Sequence, residues 1–265
     1  MENRRISRKQ LEAARREVGG RGMEVLSSIR KYKYITTGQL RRLHFTGGSE
    51  RAALRSANRT LARLRDSGLI FSLARRIGGE RAGSGSFVWS ITAAGARLLA
   101  MTDGDVSGRK RNFEPSVAFL THTLAVAETA VRLTEWAGAG KPSLITLQTE
   151  PDSWRQYAGT GGVARYLKPD LFTVTSSGEY EDYYFLELDM ATESPAAVLR
   201  KCSQYTAYRN TGNAQREYGV FPLVVWLVPD EKRKISLTRH IGNTGIFKVI
   251  TMDELEPLIL GGAGE

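Results

Sequence analysis

The sequence predicts a mixed α+β protein, α/β in its second half, built from two modules in tandem. Three observations lead there. Over residues 1–101 the apolar period is mostly helical, with one β-hairpin pattern set among the helices. Residues 102–114 have no apolar period, and from 115 to 265 the pattern runs α-β-β-β-α-β. Charge divides along the same line: 24 Lys and Arg stand against 9 Asp and Glu through residue 112, then 14 against 19 beyond it. A strongly basic module joined to a mildly acidic one implies two tasks, the first directed at a polyanion.

In the basic half, "MEVLSSIRKYKYI" (23–35) places Val25, Leu26, Ile29 and Tyr32 at helical spacing. "TTGQLRRLHF" follows, with Thr36 three positions before Gln39 in a capping-box pattern that starts a short helix. After Gly47-Gly48, Ser49 caps a third helix running to Gly68. The spacing predicts that Leu54, Ala57, Leu61 and Leu64 share its core face. Arg51, Arg55, Arg59 and Arg63 form a stripe on the other side, with Asn58 beside it. "LIFSLARR" and "SFVWSIT" read as two strands around the tip "RRIGGERAGSGS" (75–86), and Thr92 caps a last helix. Helix, helix, helix, hairpin, helix is the order of a winged helix-turn-helix. The third helix is then expected in the major groove of double-stranded DNA, with Arg75, Arg76 and Arg81 of the wing on phosphates. The polar stretch 102–114 is a linker, and its Arg109, Lys110 and Arg111 add to the expected phosphate contacts.

Composition excludes several classes. Hydrophobic content of 41% and charged content of 25% are globular values. A single cysteine, Cys202, rules out disulfide scaffolds and cysteine-clustered zinc sites and suits a reducing cytoplasm. The longest apolar run (219–228) is too short to span a bilayer and reads as a buried strand. Arg4, Arg5, Arg8 and Lys9 precede no apolar core, so the amino terminus is not a secretion signal. No segment pairs a basic face with exposed large apolar groups, which makes a membrane a poor partner.

In the second half a helix after Pro115 carries His122 and Glu128, and "SLITLQTE" (143–150) is a strand. Residues 151–168 read as loop; "DLFTVTSSGEYEDYYFLELD" is a hairpin turning near Ser177-Gly178. The helix "PAAVLRKCSQYTAYRN", the buried strand "FPLVVWLVP" and a closing strand and short helix in "FKVITMDELEPLIL" complete the pattern. Glu187 and Asp189, two apart at a strand end, are expected on one face, and Asp170 at the start of the partner strand is expected across from them. Lys201 shares the next helix's inward side with Val198, Cys202, Tyr205 and Tyr208. Carboxylates such as Asp170 and Glu187 are the oxygen ligands that a magnesium ion takes in phosphodiester hydrolysis, and a neighbouring ammonium orients the attacking water.

This arrangement resembles the PD-(D/E)XK, restriction-endonuclease-like superfamily. Pro169-Asp170 matches the PD element and Glu187 the acid of the following strand. The resemblance also implies Glu128 as the helix-borne acid. Where that pattern has a lysine, this chain has Asp189; Lys201 falls where some members carry the lysine instead. "ITTGQLRRLHF", "LARLRDSGLI", "HTLAVAE", "PDLF", "FLELDMATES" and "KCSQY" together resemble the replication-relaxation family of actinobacterial and other Gram-positive plasmids and phages. Its E-x-D-x-x-T pattern followed by Lys and Tyr appears as Glu187, Asp189, Thr192, Lys201 and Tyr205. The resemblance implies DNA binding in replication or relaxation of a mobile element, alongside replication or relaxosome proteins.

Three readings of the second half stay open from the residues alone. It is a magnesium-dependent endonuclease or nickase using Asp170, Glu187, Asp189 and Lys201; a non-catalytic platform in which these groups form a buried ion-pair knot; or the dimerising or ligand-sensing half of a winged-helix repressor. A winged helix reading a palindrome would need a homodimer. His44, His122, Cys202, Trp89, Trp154 and Trp226 are expected in structural roles. Gly159, Gly161 and Gly162 lack the strand-to-helix setting of a phosphate loop.

Overall fold

The structure is a computed structural model that describes residues 7–74, 86–103, 115–140, 142–242 and 244–261. By packing, the chain divides into two compact units, residues 1–131 and 132–265.

The first unit opens with α1 (Arg8–Tyr32), whose Ser7 and Gln10 form a capping box. The helix begins fifteen residues before the apolar repeat read from sequence, because Leu11 and Val18 already pack inward. It breaks at Gly19, where φ is 69° and ψ 178°, a conformation that suits a residue without a Cβ. The two-residue strand β1 (Ile35–Thr36) leads into α2 (Thr37–His44). Thr36 and Gln39 close the expected capping box: Gln39 N donates to Thr36 Oγ1 at 3.1 Å and Thr36 N to Gln39 Oε1 at 3.0 Å. α3 (Glu50–Asp66) starts at Ser49, whose hydroxyl accepts from Ala52 N at 3.3 Å. Strands β2 (Ile70–Ser72) and β3 (Val88–Ile91) are antiparallel, and β1 pairs on the other side of β3, giving the sheet order β1-β3-β2. Then comes α4 (Ala93–Asp103), begun by Thr92, whose Oγ1 accepts from Gly95 N at 3.1 Å and donates to Leu69 O.

α5 (Val117–Gly138) contributes its first turns to this unit. Leu120 and Leu124 pack with Leu73 and Val88, and Tyr34 meets Phe119 edge-on at 6.3 Å. Glu128 is held by Arg42 Nη1 at 2.7 and 2.9 Å and by Gln39 Nε2 at 3.2 Å. The acid that resemblance assigned to a nuclease centre therefore ties α5 to α2.

In the second unit, β4 (Ser143–Thr149) is followed by the hairpin β5 (Arg155–Ala158) and β6 (Ala164–Leu167), then β7 (Leu171–Ser177) and β8 (Tyr180–Leu188). α6 (Pro195–Asn210), α7 (Asn213–Tyr218), β9 (Leu223–Val228), α8 (Glu231–Ile241), β10 (Phe247–Thr251) and α9 (Leu255–Gly261) complete it. The five-stranded sheet runs β10-β9-β8-β7-β4: β7 is antiparallel to both of its neighbours, β4 and β8, while β8, β9 and β10 run parallel. Gly178, with φ of 65°, supplies the left-handed corner of the β7–β8 turn that the sequence places there. α6 has the predicted bounds and starts at Ser194 with Pro195 in its first turn. Phe172, Phe185, Val198, Cys202, Tyr205, Tyr208, Val224, Trp226 and Leu237 form the core between sheet and helices.

Two expectations are corrected. Residues 151–168, read as loop, contain the β5–β6 hairpin. The Arg155 guanidinium stacks on Phe172 at 4.4 Å and donates to Gln148 Oε1 at 2.8 Å, which anchors a segment of little apolar content. On α3, Ala57, Leu61 and Leu64 are buried as predicted, but Leu54 is 42% exposed; Ala53 takes its place on the inward face and Thr60 widens it. The wing-tip residues Arg75, Arg76 and Arg81 and the linker residues Arg109, Lys110 and Arg111 lie outside the described residues.

A Cβ at Gly95 would stand 2.2 Å from the Leu69 carbonyl oxygen, a backbone atom fixed by Thr92 N and Oγ1. Gly95→Ala is expected to lower the unfolding free energy in chemical denaturation by about 1–3 kcal/mol, as overpacking does; an unchanged midpoint would show that α4 shifts freely.

Candidate functional site

The carboxylates of the second unit are placed by strand register. Leu171 pairs with Leu186, so Asp170 lies opposite Glu187 one position further along the antiparallel ladder. All three acids are withdrawn from water: Glu187 is 0%, Asp189 2% and Asp170 6% exposed. Strand interiors seldom hold such groups unless they are paired.

α6 supplies the partners of Glu187. Lys201 and Tyr205, four apart, fall on one helix face. The Lys201 ammonium donates to Glu187 Oε2 and the Tyr205 hydroxyl to Oε1, so each carboxylate oxygen has its own donor. Asp170 Oδ2 accepts from Leu188 N at 2.7 Å, and its charge acts on both Glu187 and Lys201. Burial pushes the Glu187 carboxyl up to about 8, with Asp170 adding to the rise; Lys201 and the Tyr205 hydroxyl pull the other way. Burial opposes the charge on Lys201, but Glu187 and Asp170 outweigh it and hold the ammonium above its usual range. The Tyr205 phenol is raised well above its ordinary value by burial and by Glu187. Lys201 also lies 5.9 Å from the ring centre of Trp226, the residue in register with Glu187 on β9.

Asp189 bonds to a different set of groups. Its Oδ2 accepts from Arg233 Nε at 2.8 Å and Nη2 at 2.6 Å. Its Oδ1 accepts from Ala191 N at 2.7 Å, an Asx-type turn that holds Ala191 at φ of 58°. Arg233 Nη2 also donates to Glu193 O at 2.7 Å. The structure thus brings together Asp170, Glu187 and Lys201 and joins Asp189 to Arg233 on α8. Arg233 was missed from the sequence because its pairing spans 44 positions and no motif marks it. Tyr205 was visible in the E-x-D-x-x-T…K…Y pattern without a role; its spacing four after Lys201 was the available signal.

A magnesium ion needs carboxylate oxygens turned toward open coordination positions for water and phosphate. Both oxygens of Glu187 and both of Asp189 accept bonds from protein donors. Among the described residues, no group of three or more His, Cys, Asp or Glu side chains is arranged to hold a metal. As placed, Glu187 is joined to Lys201 and Tyr205, and Asp189 to Arg233 and the Ala191 amide.

The other candidate surface is α3. Arg51, Arg55, Asn58, Arg59 and Arg63 are all exposed, as the sequence predicts. The helix has two acids, and each is taken by another arginine: Glu50 by Arg41 at 3.2 Å and Asp66 by Arg65 at 2.9 Å. Arg51, Arg55 and Arg63 have no hydrogen-bond or ion-pair partner among the described residues, and Arg59 reaches Ser56 Oγ at 3.3 Å. In the same unit His44 Nε2 lies 2.9 Å from Ser28 Oγ, and burial lowers its pKa. Trp89 Nε1 donates to Thr37 Oγ1 at 2.8 Å inside the same unit.

Helices around a small antiparallel sheet, followed by a mixed sheet with helical crossovers, define a two-unit α+β protein. The family model for replication-relaxation matches residues 26–224, and the chain belongs to that family. Membership supports a role in replication or relaxation of a plasmid or other mobile element. No match was found among curated proteins or solved structures. Among the described residues, no helix is long and apolar enough to cross a membrane.

An acid whose folded pKa exceeds its unfolded value keeps a proton that the unfolded chain has lost. Glu187 should therefore make the fold most stable below about pH 4.5, less stable as pH rises, and level above about 8. Urea denaturation from pH 4 to 9 is expected to show this decline, of a few kcal/mol at most, in the unmodified protein and a flatter profile in Glu187→Gln. Parallel profiles would mean that Glu187 titrates normally.

Proposed function

We propose that the protein binds double-stranded DNA of its mobile element through the outer face of α3, in a winged helix-turn-helix unit, and that its PD-(D/E)XK-like second unit serves as a non-catalytic platform. The observation that carries the first part is the row Arg51, Arg55, Arg59 and Arg63, exposed and free of carboxylate partners among the described residues. Each such arginine set on a phosphate releases counterions, which is the main sequence-independent source of affinity for duplex DNA. The helix–helix–helix–strand–strand–helix order with β1 pairing β3 supports the winged-helix assignment, and Arg75, Arg76 and Arg81 then belong to the wing.

The platform reading rests on Glu187. It is fully buried, and each of its oxygens already accepts a bond from a protein donor, Lys201 or Tyr205. The competing endonuclease reading is favoured by one observation, the placement of Asp170 opposite Glu187 with Lys201 beside them. In that reading Asp170 and Glu187 bind magnesium and Lys201 positions water. Domain limits of 1–101, 102–114 and 115–265, a homodimer on a palindromic site, and association with replication or relaxosome proteins belong to the same proposal; a repressor role would use the same DNA surface.

Gel shifts over a salt series test it. Arg55→Ala and Arg59→Ala should each weaken duplex binding and make the log K against log[salt] slope shallower by about 1. Supercoiled plasmid incubated with magnesium or manganese should stay intact. Unaltered binding by both variants would remove the DNA surface from α3, and nicking abolished by Asp170→Ala would establish the endonuclease instead.

A further inference from the structure

We propose that α3 reads thymine and adenine in the major groove, with Leu54 packed on a thymine C5-methyl and Asn58 bonded to an adenine edge. This rests on the DNA-binding reading of α3 and adds to it the chemical class of base recognised.

The starting point is the one predicted core residue of α3 that the core leaves out. Leu54 is 42% exposed while Ala53, Ala57, Thr60, Leu61 and Leu64 fill the core. A single exposed leucine is ordinary. This one lies three residues after Arg51 and four before Asn58, on a side of the helix where Arg51 has no side-chain partner among the described residues. Whatever covers Leu54 must accept that cation and still offer an apolar group beside it. The edge of a major groove does both. Phosphates flank it, and the thymine C5-methyl is the apolar feature of its base code.

Asn58 fits the same surface. Its amide carries a donor and an acceptor side by side, the pair that matches adenine N6 and N7. Four residues advance a helix by about 6 Å, close to two base steps of about 3.4 Å. Leu54 and Asn58 therefore address different base pairs about two steps apart. Leu54 is in the first half of α3 and Asn58 at its midpoint, and the N-terminal residues of a recognition helix are the ones that meet base edges. Arg59 and Arg63, further along and turned to the flank, are left for phosphates.

The test uses the full chain and a random-sequence duplex pool. Bound duplexes are enriched, and the preferred one is resynthesised with deoxyuridine at each thymine in turn, which deletes only the methyl. At one thymine the unmodified protein should lose about three- to fivefold in affinity, the worth of one buried methyl. Leu54→Ala should bind both duplexes equally. Asn58→Ala should lose its preference at an adenine about two steps away. Both side chains are exposed, so thermal unfolding should match the unmodified protein. If the enriched duplex binds with normal salt dependence yet every deoxyuridine duplex binds like its parent, the base readout is wrong and the DNA-binding surface stands. If no duplex in the pool binds, both fall, and an acidic protein surface becomes the partner of α3.

Discussion

The second unit is organised around one buried carboxylate. Glu187 sits at the end of a central strand with no exposure to solvent, and an ion there is tolerated only if its charge and both lone-pair sets are met. Lys201 and Tyr205 meet them from a single face of α6. This fixes the rotation of α6 on the sheet, and with it the positions at which Val198, Cys202 and Tyr208 enter the core. The Asp189–Arg233 pair repeats the device for α8. Two helices are thus pinned to the sheet by charge rather than by apolar shape alone.

The same economy explains why nuclease-like residues need not be nuclease residues. Asp170, Glu187 and Lys201 are the groups from which a phosphodiesterase centre can be assembled. Here the ammonium is spent on Glu187, the phenol of Tyr205 takes the second oxygen, and Asp189 forms a turn with Ala191. The aspartate standing in the usual lysine position would repel a scissile phosphate, and it has a complete structural role.

Much of this was legible in the sequence, and the failures have physical causes. The bounds of α6 followed from Ser194-Pro195 and a clear apolar period. The β7–β8 hairpin followed from the Ser177-Gly178 turn between two strand-like runs. The exposed arginines of α3 followed from their spacing. The β5–β6 hairpin escaped because it is secured by the Arg155 stack and polar bonds rather than by apolar alternation. α8 escaped because its "EKRKISLTRHI" buries only Leu237 and Ile241, too few to set a period. Glu128 was assigned through family pattern, whereas its partners Arg42 and Gln39 lie more than 80 positions away, where no local signal reaches. The alignment of Asp170 with Glu187 was correctly anticipated from strand pairing; the turn that carries Asp189 to Arg233 was not, since it depends on a positive φ at Ala191.

A carboxyl-carbon NMR titration of selectively labelled protein, followed at Glu187 with and without magnesium, puts the buried-pair account at most direct risk. With Lys201 and Tyr205 occupying both oxygens, the curve should be unmoved by the metal, its midpoint set by burial, which raises it, against Lys201 and Tyr205, which lower it. A curve that moves when magnesium is added would show that the carboxylate is open to the metal and that the pairing is not its role.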